Sequence, residues 1–273
     1  MKQSTRLFYS LVINAIVFLL CVFTTTNAYF GYWGYLFGEG GVLMFRYCTN
    51  ETLILLGLSS LPYVIFGWRE LKSHKPIPPL LKTFPHLTMA MTMGVVLVVI
   101  FFLAPWYAYQ RGPLAYFSLF GLPTNLFAHL VIPFGALLSY LVYEEPYWSP
   151  HSLWIRAIPT MAPMLLYAGI VSTLATLHLL SSDPELNNVY GFMDLASNPW
   201  WVSVITGVTA LLTTYFEGVI LFIGQAKLMS VNAATLIGKI VLAILTPRGF
   251  GRIRLSHLSQ FNDQAHRFDS PRR

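Results

Sequence analysis

Asn125-Leu126-Phe127-Ala128-His129-Leu130-Val131-Ile132-Pro133 sets one imidazole inside an otherwise apolar run. That run, residues 124–143, reaches the roughly 20 residues that a spanning helix needs. Comparable runs lie on either side of it, at residues 7–26, 42–68, 87–107, 157–180 and 200–222. The 273-residue chain is 55% hydrophobic and only 10% charged. A soluble domain carries about a quarter charged residues. The sequence therefore predicts an all-α, polytopic transmembrane bundle of six spans. Residues 1–230 form the membrane domain, and residues 231–273 an interfacial helix and basic tail.

Basic residues orient the bundle, because cytoplasmic loops carry the excess of Lys and Arg. Lys2 and Arg6 precede the first span. Arg69, Lys72, Lys75 and Lys82 fill the second connection, and Arg156 closes the fourth. Lys227, Arg248, Arg252, Arg254, Arg267, Arg272 and Arg273 follow the sixth. Arg111 is the main exception. Both termini are thus expected in the cytoplasm, with Trp33, Trp106, Tyr107, Trp200 and Trp201 in an outer aromatic belt. The first span also reads as a signal peptide with Thr26-Asn27-Ala28 as its cleavage site. Its apolar stretch is long for that role, which favours retention.

The net charge of +6 is accounted for by topology and does not indicate nucleic acid. Membrane lipid is the expected partner, with anionic headgroups at the basic tail. The aromatic, Gly-rich residues 29–37 suit the outer interface or a fold back over the bundle. Residues 232–245, with Lys239 inside, suit an interfacial helix. Cys21 and Cys48 sit in apolar segments and read as small core residues. No internal repeat supports an inverted-repeat transporter. No phosphate loop, G-x-S-x-G elbow or H-E-x-x-H is present, and no metal or organic cofactor is expected.

Polar side chains at membrane depth are the candidate sites, since they are costly there. Pro133 has no N–H for the His129 carbonyl, so a bend is expected at His129. Thr49 and His129 read as lying about 10 and 8 Å below the outer ends of their spans. A hydroxyl nucleophile needs such a base. The structural alternatives are a Thr bonded within its own helix and a His that joins helices. Asn125, one turn above His129, is placed to orient the ring or simply to start the helix. Glu51 points away from Thr49. His178, Tyr190 and Asp194 converge above the site or lie in a solvated loop. Glu217 reads as an interhelical hydrogen bond.

Three motifs resemble a superfamily of six-span membrane proteins that includes the androgen-induced gene protein. Phe45-Arg46-Tyr47-Cys48-Thr49-Asn50-Glu51-Thr52 is similar to its F-x-Y-F-T-x-Q-S-N segment. His129-Leu130-Val131-Ile132-Pro133 is similar to its H-x-x-x-P segment, and Tyr190-Gly191-Phe192 to its aromatic-Gly-Phe motif. Glu51 and Leu53 replace the usual Gln and Asn. The bacterial branch is the nearer match, which implies a bacterial inner membrane. Animal members hydrolyse fatty-acyl esters of hydroxy fatty acids. The resemblance implies a lipid ester hydrolase with Thr49 as nucleophile and His129 as base. The alternatives are a small-molecule or proton-coupled transporter lined by His129, Glu51 and His178, and a non-enzymatic assembly factor.

Overall fold

The computed structural model describes residues 3–32, 41–114, 121, 123–145, 153–177, 179 and 199–230. His178, Tyr190, Asp194, Trp33 and the tail 231–273 lie outside the described residues. Six helices are long and apolar enough to cross a membrane: Gln3–Phe30, Cys48–Ser73, Pro79–Phe101, Pro123–Tyr143, Leu153–Thr176 and Trp200–Leu228. No strand occurs among the described residues. The chain is a multi-pass, all-α membrane protein.

Two span starts differ by more than four residues from the sequence reading. The second span starts at Cys48, because Gly41–Arg46 forms a separate 3-10 turn. The third starts at Pro79, eight residues earlier than expected. Pro79 opens it well, since the first helical residue needs no N–H. The stretch holding Lys82, Pro85 and His86, which resembles a loop in composition, is therefore helical.

Polar and small residues of the first span face inward. Ser10, Asn14, Val17, Cys21, Thr24 and Ala28 are buried at alternating spacings of four and three, which draws one stripe along a helix. Ile16, Leu19 and Val22 on the other side are exposed, as are Ile65, Phe101, Leu166, Ile170 and Ile220 on other spans. These side chains suit hydrocarbon. Small residues let the spans approach closely. A side chain at Gly57 would meet Cys21 Cβ at 3.3 Å, and one at Gly218 would meet Thr160 Oγ1 at 2.6 Å.

The central core joins Val17, Cys21, Leu53, Leu56, Met89, Ala128, Ile132 and Leu221. A second cluster ties Cys48 and Met91 to Tyr167, Val171 and Ala175 of the fifth span. Both cysteines are buried in these clusters, and neither forms a disulfide. Neighbouring spans alternate in direction. One end of the bundle gathers Arg6, Tyr63, Glu144 and Arg156; the other gathers Thr49, His129 and Tyr167. These are called the Glu144 end and the Thr49 end.

Candidate functional site

Three π turns interrupt the spans, at Val99–Leu103, Phe127–Val131 and Ser139–Tyr143. His129 lies within the second. The Ile132 N–H reaches back five residues to the Phe127 carbonyl. Pro133 follows at once and has no N–H to give to the His129 carbonyl. The irregularity expected beside His129 is therefore a π turn, a feature often found at functional sites.

His129 is 8% exposed, and its Nδ1 is buried without a hydrogen-bond partner among the described residues. Thr124 Oγ1, in the same span, is also buried and unpartnered. So is Thr24 Oγ1, on a residue with no exposed surface. An intramembrane Thr ordinarily bonds the carbonyl one turn back. Here Thr24 forgoes that bond to Leu20.

Helix contacts fix the level of these groups. Asn14 bonds Ser139, and Val17 faces Gly135. Counting on along the two antiparallel spans brings Thr24 level with His129 and Tyr29 level with Thr124. Leu11 faces Gly67 and Cys21 faces Gly57, which brings Tyr29 level with Thr49. Thr49 thus stands level with Thr124, about 7 Å nearer the end of the bundle than His129. The shared depth read from the sequence becomes an offset of more than one turn, because the second span starts later than expected. The second and fourth spans run in the same direction, and helical Cα–Cβ bonds tilt towards the N-terminus. The His129 side chain therefore leaves its backbone towards Thr49's level.

Thr49 is half-buried in the first turn of the second span. Among the described residues it shares no hydrogen bond with His129. Asn50 Nδ2 donates to the Met44 carbonyl at 2.9 Å and ties the 3-10 turn to the helix. Tyr167 donates to the Arg46 carbonyl at 2.6 Å and ties it to the fifth span. Glu51 is half-buried in the same first turn, where a carboxylate is favoured by the helix dipole. Asn125 is half-buried two residues before the π turn. The structure thus brings Thr49, Asn125 and His129 to one end of the bundle.

The Glu144 end holds polar chemistry that the sequence reading missed. Asn14 Nδ2 lies 3.0 Å from the Ser10 carbonyl, 2.8 Å from Ser139 Oγ and 2.9 Å from Glu144 Oε1. Ser139 donates to the same carboxylate oxygen at 2.9 Å. Arg6 donates to the Glu144 carbonyl at 3.0 Å, and Gln225 to the Tyr140 carbonyl at 2.8 Å. Burial pushes the Glu144 carboxyl above the usual carboxylate range, against the bonds from Asn14 and Ser139 that pull it down. His86 Nδ1 pairs with Tyr140 OH, and its ring lies 3.6 Å from that of Phe222. Two signals pointed there: Ser10 and Asn14 one turn apart in an apolar span, and a His directly after Pro85.

Comparison with protein-family models, curated proteins and solved structures found no match. Among the described residues no three His, Cys, Asp or Glu side chains cluster as metal ligands.

Proposed function

We propose that the Thr49 end is the active site of an integral membrane hydrolase that cleaves fatty-acyl esters. The observation that carries this reading is the buried Nδ1 of His129 in its π turn, unpartnered among the described residues, with Thr49 about 7 Å nearer the end of the bundle. A buried polar atom without a partner calls for one. Thr24 and Thr124 supply two more such atoms in the same part of the bundle. The offset between Thr49 and His129 leaves room for a water or an ester group. The motif resemblance at residues 45–52 and 129–133 assigns the same two residues.

In the proposed cycle Thr49 Oγ attacks the acyl carbonyl, and its proton passes to the neutral His129 ring, directly or through one water. The ring returns that proton to the departing alkoxide, which leaves as the alcohol. Water then attacks the acyl-threonine, again losing its proton to His129, and the fatty acid departs as Thr49 recovers its hydrogen. Asn125 and backbone N–H groups are candidates to hold the oxyanion. No metal or organic cofactor enters this scheme. Lipid enters sideways between helices.

The orientation follows from charge. Arg6, Arg69, Lys72, Lys75, Lys82, Arg156 and Lys227 belong to the Glu144 end, whereas Arg46 and Arg111 belong to the other. The positive-inside rule then places the Glu144 end and both termini in the cytoplasm and the site in the outer leaflet. The basic tail would rest on anionic headgroups, and a bacterial inner membrane is the proposed home. The test is fatty-acid release from a panel of hydrophobic esters by purified protein. Hydrolysis lost in both Thr49→Ala and His129→Ala supports the reading. Hydrolysis that persists in Thr49→Ala, or is missing from the wild type, overturns it.

A further inference from the structure

Glu217 lies well inside the sixth span, and only 7% of its surface is exposed. Both carboxyl oxygens are buried and lack a hydrogen-bond partner among the described residues. The carboxyl rests on the third span where Gly94 has no side chain. A Cβ there would stand 2.9 Å from Glu217 Oε2. The interhelical hydrogen bond expected of Glu217 is not formed, because the nearby hydroxyls are engaged elsewhere. Thr160 donates to the carbonyls of Ala157 and Thr214, and Thr92 to that of Thr88.

Of the charged and titratable groups on the surrounding elements, His129 of the fourth span and Tyr167 of the fifth belong to the Thr49 end, and the others lie towards the Glu144 end. The third span contributes His86, the fourth Tyr140 with Glu144 after it, and the segment before the fifth Arg156. The sixth span itself contributes Tyr215, which donates to the Trp154 carbonyl. Arg156 lies over the Phe222 ring at 4.4 Å. An ionised carboxylate in hydrocarbon without a cation or donors is very costly, and a proton is the simplest ligand that relieves it.

His86 is the second unpartnered titratable group at this interface. Its Nε2 is buried without a partner among the described residues. Its ring lies on Phe222, five residues past Glu217, or about 7.5 Å of helical rise. Its other nitrogen pairs with Tyr140, and Gln225 ties Tyr140's backbone to the Glu144 end.

The geometry points to Glu217 as a proton-binding site inside the bundle, loaded and unloaded through His86 and Tyr140. This gives the protein a proton-carrying role that stands apart from ester cleavage. On release, the Glu217 O–H bond breaks and the proton passes along a chain of waters to His86 Nε2, since Gly94 and His86 stand about 12 Å apart along the third span. The ring gives its Nδ1 proton to the Tyr140 oxygen, and Tyr140 gives its own to water at the Glu144 end. One proton has moved, Glu217 is left as carboxylate, and the ring is neutral in its other tautomer. Loading reverses each transfer.

The test uses the full chain in liposomes and dicyclohexylcarbodiimide, which modifies membrane-buried carboxylic acids. Peptide mass spectrometry should find Glu217 modified, with labelling falling about tenfold per pH unit above its titration point. A pH dye inside the vesicles should report proton entry driven by a potassium diffusion potential. Carbodiimide and Glu217→Gln should each abolish that entry. His86→Phe, which keeps a ring against Phe222, should slow it at least tenfold. Glu217 left unmodified in folded wild type overturns the proposal, and so does an absence of proton entry in the wild type or undiminished entry in Glu217→Gln. Neither readout depends on ester hydrolysis.

Discussion

The two ends of this bundle handle buried polar groups in opposite ways. At the Glu144 end, Asn14, Ser139 and Glu144 satisfy one another across the first and fourth spans. At the Thr49 end, Thr24, Thr124 and His129 keep buried atoms with no partner among the described residues. A satisfied network rigidifies a structure, whereas an unsatisfied group is costly and signals a missing ligand. The difference teaches that the interlocked Asn14–Ser139–Glu144 network and the unpartnered Thr24, Thr124 and His129 atoms are separated along the bundle axis.

Mutations can break that separation, and the largest effect belongs to the open end. Thr49→Ala and His129→Ala should each lower ester turnover by about 10²–10⁴-fold, measured as fatty-acid release. The double mutant should be little worse than either, because residues acting as one unit lose activity non-additively. His129→Leu should leave unfolding in detergent unchanged or raise its midpoint, since it removes an unpartnered buried atom. A clear fall in stability would mean that His129 is a structural lock.

The locked end should respond in reverse. Asn14→Leu takes the amide donor away from Ser139 and Glu144, and should cost about 1–3 kcal/mol of stability by denaturant titration. An unchanged midpoint would remove the network from the account of stability. Gly218→Ala drives a methyl group into Thr160, whose hydroxyl already serves two carbonyls. It should cost a comparable 1–3 kcal/mol, roughly the range for overpacking.

Smaller effects sharpen the contrast. The Glu144 carboxyl titrates higher in the folded protein than in the unfolded chain. The folded state therefore holds more protons between the two values. Its contribution is fully present below the ordinary carboxylate range and is lost as pH rises through the raised folded value. Glu144→Gln should flatten that part of the stability–pH curve, read by thermal unfolding at a series of pH values. An equally steep curve in the variant would assign the slope to another group. Smallest of all, Glu51→Gln should change stability by no more than about 0.5 kcal/mol and leave turnover intact, because Glu51 makes no side-chain hydrogen bond among the described residues.

All six spans were legible, because runs of some 20 apolar residues with so few charges have no other stable arrangement. The start of the third span was not. Pro79, Lys82, Pro85 and His86 carry the composition of a loop, and packing of the third span against the second and sixth holds them in a helix. The later start of the second span was hidden for the opposite reason. Residues 42–47 are apolar enough to extend it, yet they form a separate turn. Single polar residues were visible, but their partners were not. Asn14 and Glu144 lie 130 positions apart, and a pattern local in sequence does not record such a pair. Glu217 was noticed, but only the structure shows that its carboxyl lies against Gly94 without a donor among the described residues.

A π turn is an α-helix that has accepted one extra residue, and the fourth span contains two of them. Removing one residue between 127 and 131 would let the helix close into regular geometry. Everything past the deletion could keep its contacts with the first span, while the segment before it turned by about 100°. The span thus carries a register in which a single-codon deletion separates the two ends. It would preserve the anchored half of the helix and swing Thr124 and Asn125 off the face they now share with His129.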